Sequence, residues 1–151
     1  MTDPTSDSGE FLPRYLPYLL HRVDQLLSAR FHRDLQASGT PVSEWRVLAV
    51  LLDHDGLPLS ELSDRTMLPQ PTTTHAVSRL EADGAVERVA VASDGRMRAV
   101  HLTTAGRELA QKLVDRAGAE LAGFGVDPER LRRLEADLGT IMVELENHSD
   151  V

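Results

Sequence analysis

One stretch, residues 59–102, constrains the fold of this chain more than any other. It begins with a short helical pattern over residues 59–66, in which apolar positions recur at three- and four-residue spacing. Residues 67–70 must break this helix, because the proline among them lacks an amide donor and pushes the preceding residue out of helical geometry. A second helix is predicted over residues 71–83, with a proline in its first turn and Gly84 as a stop. Two short helices are therefore joined by a tight turn.

Two runs of β-branched residues follow this helix pair, on either side of Asp94 and Gly95. An Asp-Gly pair between two such runs is a strong signal for a hairpin turn. Helix, turn, helix and hairpin, in this order, predict a winged helix-turn-helix over about residues 41–102. This shape presents one helix and one loop, the wing, to a DNA duplex. The predicted fold class is therefore mainly α (α+β).

Long helical patterns flank this lobe on both sides. The first covers about residues 10–38 and carries a broad apolar stripe. The last covers about residues 104–147 with a break at 123–125, and its apolar residues repeat every seven positions: Leu131, Leu138 and Leu145, interleaved with Leu134 and Ile141. These surplus apolar faces predict N- and C-terminal helices that form a dimerisation platform joining two copies of the chain. The same helices could instead close the core of a monomer.

Length and composition favour one domain over residues 10–151, preceded by a disordered, polar tail over residues 1–9. The chain has no cysteine, no apolar run of membrane-spanning length and no secretion signal, so we expect a soluble cytoplasmic protein. A net charge of −8 argues at first against a nucleic-acid partner. However, residues 65–101 hold five arginines against four acidic residues, so most of the negative charge lies outside the predicted DNA-binding surface.

Small polar side chains cluster at the start of the predicted helix 71–83. Threonine is unfavourable at exposed helical positions, so three threonines in succession need a reason. Small hydroxyls fit the major groove and amides at a helix start bind phosphate, but simple capping of the helix is an equally good explanation. Arg79 could reach a phosphate or pair with Glu81 or Asp83. The candidate DNA-binding residues here are Gln70, Thr72, Thr73, Thr74, His75, Ser78 and Arg79.

The predicted wing supplies three further candidates, Asp94, Arg96 and Arg98. An arginine on a projecting loop can enter a narrow minor groove, where the negative potential is enhanced. Asp94 could hold Arg96 in place through a charge-assisted hydrogen bond. Without the preceding helices, arginines beside a turn would be ordinary surface residues.

No sequence pattern indicates catalysis or a metal site. The six histidines lack the spacing of metal ligands, and neither a glycine-rich phosphate loop nor a nucleophile elbow is present. We therefore expect no enzyme activity, no metal and no cofactor. A winged-helix module that binds another protein instead of DNA is the alternative function, and the acidic net charge keeps it open.

The ordered set of motifs resembles the multiple antibiotic resistance regulator (MarR) family of transcription factors. The motifs are WRVLAVL (45–51), LSEL (59–62), VSRLEADGAVER (77–88), SDGR (93–96) and HLTTAGREL (101–109). The resemblance implies a homodimer that binds a palindromic operator in double-stranded DNA, usually as a repressor. It also implies release of the DNA when a small aromatic or anionic effector binds.

The resemblance assigns helix 71–83 as the recognition helix, and Asp94 and Arg96 as the family's wing motif. The sequence departs from the family pattern at residues 69–71, where serines and a basic residue are more frequent, and this leaves the base contacts open. The lack of cysteine excludes the thiol-sensing branch of the family. Candidate effector-pocket residues are His32, Trp45 and Arg46, although a large aromatic residue on an apolar stripe more often packs in the core.

Overall fold

The computed structural model describes residues 10–92 and 94–149, without the side chains of residues 94–96 and Ser149. The described residues form two compact units, one reaching to Ala117 and one starting at Gly118. The predicted tail, residues 1–9, lies outside the described part. A single domain over residues 10–151 stays a prediction.

The first unit contains five helices and a small sheet. After a 3-10 turn at Leu12–Arg14, its helices are α1 (Leu16–Ala37), α2 (Val42–Asp53), α3 (Leu59–Thr66), α4 (Gln70–Ala82) and the larger part of α5 (Thr104–Gly123). Its strands are β1 (Leu57–Pro58), β2 (Val86–Val91) and β3 (Asp94–Leu102), which form an antiparallel sheet in the order β1-β3-β2. The predicted mainly α fold with a winged helix-turn-helix is confirmed.

The core of this unit fixes the orientation of α4. Fully buried side chains converge from α2, α3, α4 and the sheet, among them Val47, Leu48, Leu51, Leu62, Val77, Val86 and Val100. Burying such apolar area is the main favourable term in folding. One side of α4, with Ala76, Val77 and Leu80, is enclosed by this core, so the opposite side must face solvent.

The turn between α3 and α4 contains a strained residue, Met67. It has a φ of 54°, the left-handed region that normally favours glycine, and its side chain is 86% exposed. The Leu68 amide then donates to the Ser63 carbonyl at 3.2 Å, which closes the end of α3 as in a Schellman motif. Pro69 is the N-cap of α4, so this helix begins at Gln70, one residue earlier than predicted.

The hairpin turns earlier than the sequence predicted. Val91 pairs with Asp94, so Asp94 and Gly95 belong to β3 and the chain reverses between residues 91 and 94. The preceding pair joins Ala90 to Arg98, and three residues of β3 lie between the two pairs. The end of the wing therefore contains an irregularity of the bulge type in β3, not a two-residue turn at Asp94–Gly95.

The second unit consists of the end of α5 and the whole of α6 (Pro128–Ser149). Asp127 caps α6, because its Oδ1 accepts a hydrogen bond from the Glu129 amide at 3.1 Å. No side chain of α6 in the described range is fully buried, and its most exposed large apolar residues are Met142, Val143 and Leu145. Within the described residues, no helix combines the length and apolar character needed to span a bilayer.

Candidate nucleic-acid interface

Six of the seven candidate residues of α4 lie together on its solvent-exposed side. We call this surface the α4 face, and its members are Gln70, Thr72, Thr74, His75, Ser78 and Arg79. The helical repeat separates them from the buried stripe that packs on α2 and α3. The structure therefore presents a row of short polar groups ending in one arginine.

Thr73 does not belong to this surface. Its side chain is fully buried, and its hydroxyl donates to the Pro69 carbonyl at 3.3 Å. Three-residue spacing places Thr73 in the same stripe as Ala76 and Leu80, which explains the burial. The prediction that Thr73 faces DNA is therefore wrong.

Two of the three hydroxyls on the α4 face, those of Thr74 and Ser78, do not cap the start of the helix. Thr74 donates to the Gln70 carbonyl at 2.8 Å, and Ser78 donates to the Thr74 carbonyl at 2.9 Å. Each bond runs backwards by four residues and leaves the hydroxyl oxygen able to accept a further hydrogen bond. Pro69, the N-cap residue, makes no side-chain cap either. Capping therefore does not account for these side chains.

Arg79 pairs with a residue that the sequence did not suggest. Its Nε lies 2.8 Å from Oε1 of Glu44, which projects from α2, whereas Glu81 and Asp83 were the expected partners. The Glu44 side chain is 5% exposed and that of Arg79 is 49% exposed, so the pair joins the core to the α4 face. Burial raises the pKa of the Glu44 carboxyl above its ordinary value. The Arg79 charge opposes this rise, Asp83 adds to it, and His75 opposes it more weakly.

Arg88 on β2 contacts the α4 face, and this contact was not predicted from the sequence. Its Nη1 lies 2.6 Å from Glu81 Oε2, and its Nη2 donates to the Ser78 hydroxyl at 3.0 Å. These bonds tie the wing sheet to the end of α4. Alternation along β2 places Arg88 on the same side of the sheet as buried Val86. This alternation is the sequence signal from which the contact could have been predicted.

The wing candidates are described only in part. The Arg98 side chain is exposed, at the position where β3 pairs with Ala90. The side chains of Asp94 and Arg96 lie outside the described residues, so their roles stay predictions. Across residues 10–92 and 94–149, no cluster of three or more histidine, aspartate or glutamate side chains could hold a metal ion.

A groove of about 370 Å³ opens between α2 and the end of α3. We call it the α2–α3 groove, and it is lined by Trp45, Arg46, Ala49, Val50, Arg65, Thr66 and Met67. Trp45 also packs edge-on against Phe31, with 5.0 Å between ring centroids, so it belongs both to the core and to the groove. The structure brings Trp45 and Arg46 together in this groove. His32 does not line it, and its ring contacts that of Phe31.

The two cations of the groove differ in their partners. Arg65 is held by Glu61, with Nε and Nη2 at 3.1 and 3.0 Å from the same carboxylate oxygen. Among the described residues, Arg46 makes one long bond, from Nη1 to the Thr66 carbonyl at 3.4 Å. Because that bond uses one of five donors, the Arg46 guanidinium keeps donors for an anion beside the Trp45 ring.

A winged helix-turn-helix whose second helix exposes a polar face defines a class, the helix-turn-helix transcriptional regulators. The MarR family model matches residues 38–97. The repressor IacR of Pseudomonas putida is 29% identical over 147 residues, which cover 95% of this chain and 87% of that protein. The repressor Rv2887 of Mycobacterium tuberculosis is 32% identical over 80% of this chain and 83% of its own.

Solved structures agree with these sequence relatives. The MarR family regulator SPO1453 from Silicibacter pomeroyi has a TM-score of 0.74 and 36% identity, covering 88% of this chain and 98% of that one. The structure of Rv2887 in complex with salicylic acid has a TM-score of 0.69 and 28% identity. This match covers 84% of this chain and 96% of that one. The chain belongs to the MarR family. Its relatives are transcriptional regulators, not enzymes.

Proposed function

We propose that this protein is a homodimeric, cytoplasmic repressor that binds a palindromic operator and is released by a small aromatic anion. The observation that carries the proposal is the α4 face, which exposes six polar side chains on a helix whose other side is fixed in the core. A rigid helix with short polar groups suits the major groove. Arg79 and the arginines of the wing supply phosphate contacts.

Exposed apolar side chains in each unit support a dimer. In the first unit they run along the start of the chain and α1: Phe11, Leu12, Tyr15, Leu16, Leu19, Leu20, Val23 and Leu26. In the second unit Leu134, Ile141 and Leu145 follow the heptad pattern and are also exposed. Exposed apolar patches of this kind mark surfaces that bind a partner. A two-fold dimer would present two α4 faces to the halves of a palindrome.

The α2–α3 groove supports the effector. An aromatic ring beside an arginine with unused donors suits a small aromatic carboxylate, through ring contact and a charge-assisted hydrogen bond. The groove also abuts Met67, in the turn that leads into α4. A ligand there would press on the start of the DNA-binding helix.

DNA binding is tested by selecting duplexes from a random pool with the wild-type protein, then measuring fluorescence anisotropy on the enriched duplex. The variant Arg79→Ala should bind it about tenfold more weakly, because it loses a contact on the α4 face. The matched control is Arg132→Ala, which removes the same charge from an exposed, ion-paired arginine of α6 and should bind like wild type. If no duplex is enriched, and random duplex is not bound at low salt, the protein-interaction alternative replaces this proposal.

The effector is tested with benzoate as the probe. The chain has a single tryptophan and two tyrosines, so emission excited at a wavelength that tyrosine does not absorb reports on Trp45 alone. Benzoate should change Trp45 emission in a saturable way, and Arg46→Ala should weaken its binding about fivefold or more. Arg33→Ala, at an exposed position of α1, is the control. Emission that stays constant up to millimolar benzoate would remove the groove from the proposal.

A further inference from the structure

We propose that buried Glu44 is a positioning residue that holds Arg79 in the orientation in which it contacts DNA. The inference deepens the proposed function and rests on DNA binding by the α4 face. Glu44 itself is 4% exposed and lies on α2, so it cannot meet the duplex. Its effect must pass through Arg79.

The geometry of the pair leaves Arg79 both anchored and available. The ion pair brings Nε, the guanidinium nitrogen nearest the backbone, to 2.8 Å from Oε1 of Glu44, without the geometry of a hydrogen bond. An arginine held at Nε still has the four N–H donors of its two terminal nitrogens. With about half of its side chain exposed, Arg79 can present these donors to a phosphate or a base edge.

Stability alone does not account for a carboxylate at this position. Glu44 Oε1 is shielded from solvent and accepts no hydrogen bond of good geometry from the described residues, although the Arg79 charge is close. Removing a carboxylate from water without full hydrogen bonding is costly, and an apolar side chain of the same size often gives an equal or more stable fold. A role in DNA binding explains the presence of a buried carboxylate at this position, which the stability of the fold does not.

The benefit of the pair is a lower entropic cost of binding. A free arginine loses much side-chain freedom when it docks on a phosphate, whereas an anchored one has lost part of it already. The Glu44 charge has an opposite, long-range effect, because a negative group near the surface repels DNA. Removing it should therefore weaken binding to the preferred duplex, and should weaken binding to random duplex less, because the lost repulsion offsets a larger share of the weaker interaction.

The test is a double-variant cycle with Glu44→Met and Arg79→Ala. Operator affinity is measured by anisotropy on the duplex selected by the wild-type protein, with a random duplex for comparison and thermal unfolding recorded for every variant. We expect Glu44→Met to bind the selected duplex about five- to tenfold more weakly, with a melting temperature equal to or above that of wild type. In the Arg79→Ala background the same change should have no further effect on affinity.

Two results would overturn the inference. One is unchanged affinity of Glu44→Met for the selected duplex, and the other is an equal loss with and without Arg79. If Glu44→Met melts at a lower temperature than wild type, Glu44→Leu, which also lacks an acceptor for Arg79, replaces it in the same cycle. Failure of the wild-type protein to enrich any duplex counts against the proposed function, and so is distinct from either result.

Discussion

Replacing Gly106 with alanine should strongly destabilise the first unit. A Cβ built on Gly106 would lie 1.8 Å from the Ala85 carbonyl oxygen and 2.7 Å from its carbon. Both are backbone atoms, so no side chain can rotate away to relieve the clash. We expect a loss of roughly 3 kcal/mol or more, the upper range for overpacking, which lowers the melting temperature by about 10 °C in a chain of this size.

The surroundings of Ala85 explain why relief by backbone movement is difficult. Its carbonyl accepts a hydrogen bond from the Thr103 amide at 3.0 Å, and the Thr103 hydroxyl, 3.2 Å from the same oxygen, donates to the neighbouring Gly84 carbonyl at 2.7 Å. The same hydroxyl accepts a hydrogen bond from the Gly106 amide at 3.0 Å, so it caps α5. A shift of α5 away from Ala85 would break this set of bonds at the point where α5 meets β3.

Gly118→Ala is the matched control for this prediction. Gly118 lies in the same helix, and an added Cβ would meet nothing within 4 Å. Alanine there should stabilise the chain by about 0.5–1 kcal/mol, because it lowers the entropy of the unfolded state and favours helix. Thermal unfolding by circular dichroism compares the two variants with wild type. Equal melting temperatures for Gly106→Ala and wild type would show that α5 does not pack as closely as described.

The helices and the wing were predictable because their signals are local. Proline at position 69 and glycine at 84 set the ends of α4 to within one residue, since both act on their own backbone. Pro17 likewise lies in the first turn of α1, which starts at Leu16. The hairpin was predicted but its turn was misplaced, because the three extra residues of β3 depend on strand pairing and not on the Asp-Gly pair.

The interface was predictable only in outline. The apolar positions 76, 77 and 80 already define the buried stripe of α4, and helical spacing extends this stripe to Thr73. Thr73 could therefore have been separated from Thr72 and Thr74 by its spacing. The partner of Arg79 lies 35 positions earlier in the chain, and a pair at that separation leaves no trace in local spacing. The requirement for glycine at position 106 could not be predicted either. The backbone that leaves no room for a side chain there belongs to Ala85, which lies on another segment of the chain.

Replacing Leu145 with arginine should convert the proposed dimer into monomers and abolish tight DNA binding. Leu145 is 62% exposed and occupies the heptad pattern of α6, so the change removes apolar surface from the proposed contact and adds a charge that must be desolvated there. When two recognition helices are linked, binding of one holds the other close to its half-site. The dimer therefore binds more tightly than a monomer without making any new kind of contact. A monomer should therefore bind the selected duplex about a hundredfold more weakly or worse.

The control is Asn147→Arg, which adds the same charge two residues further along α6 at an exposed polar position. It lies outside the heptad stripe and should leave mass and affinity as in wild type. Light scattering gives the mass, anisotropy gives the affinity, and circular dichroism checks that each variant is folded. A Leu145→Arg protein that keeps the dimer mass would place the contact elsewhere, on the exposed apolar residues of α1. A monomer that still binds with full affinity would mean that one α4 face suffices, and the palindrome would then have no role.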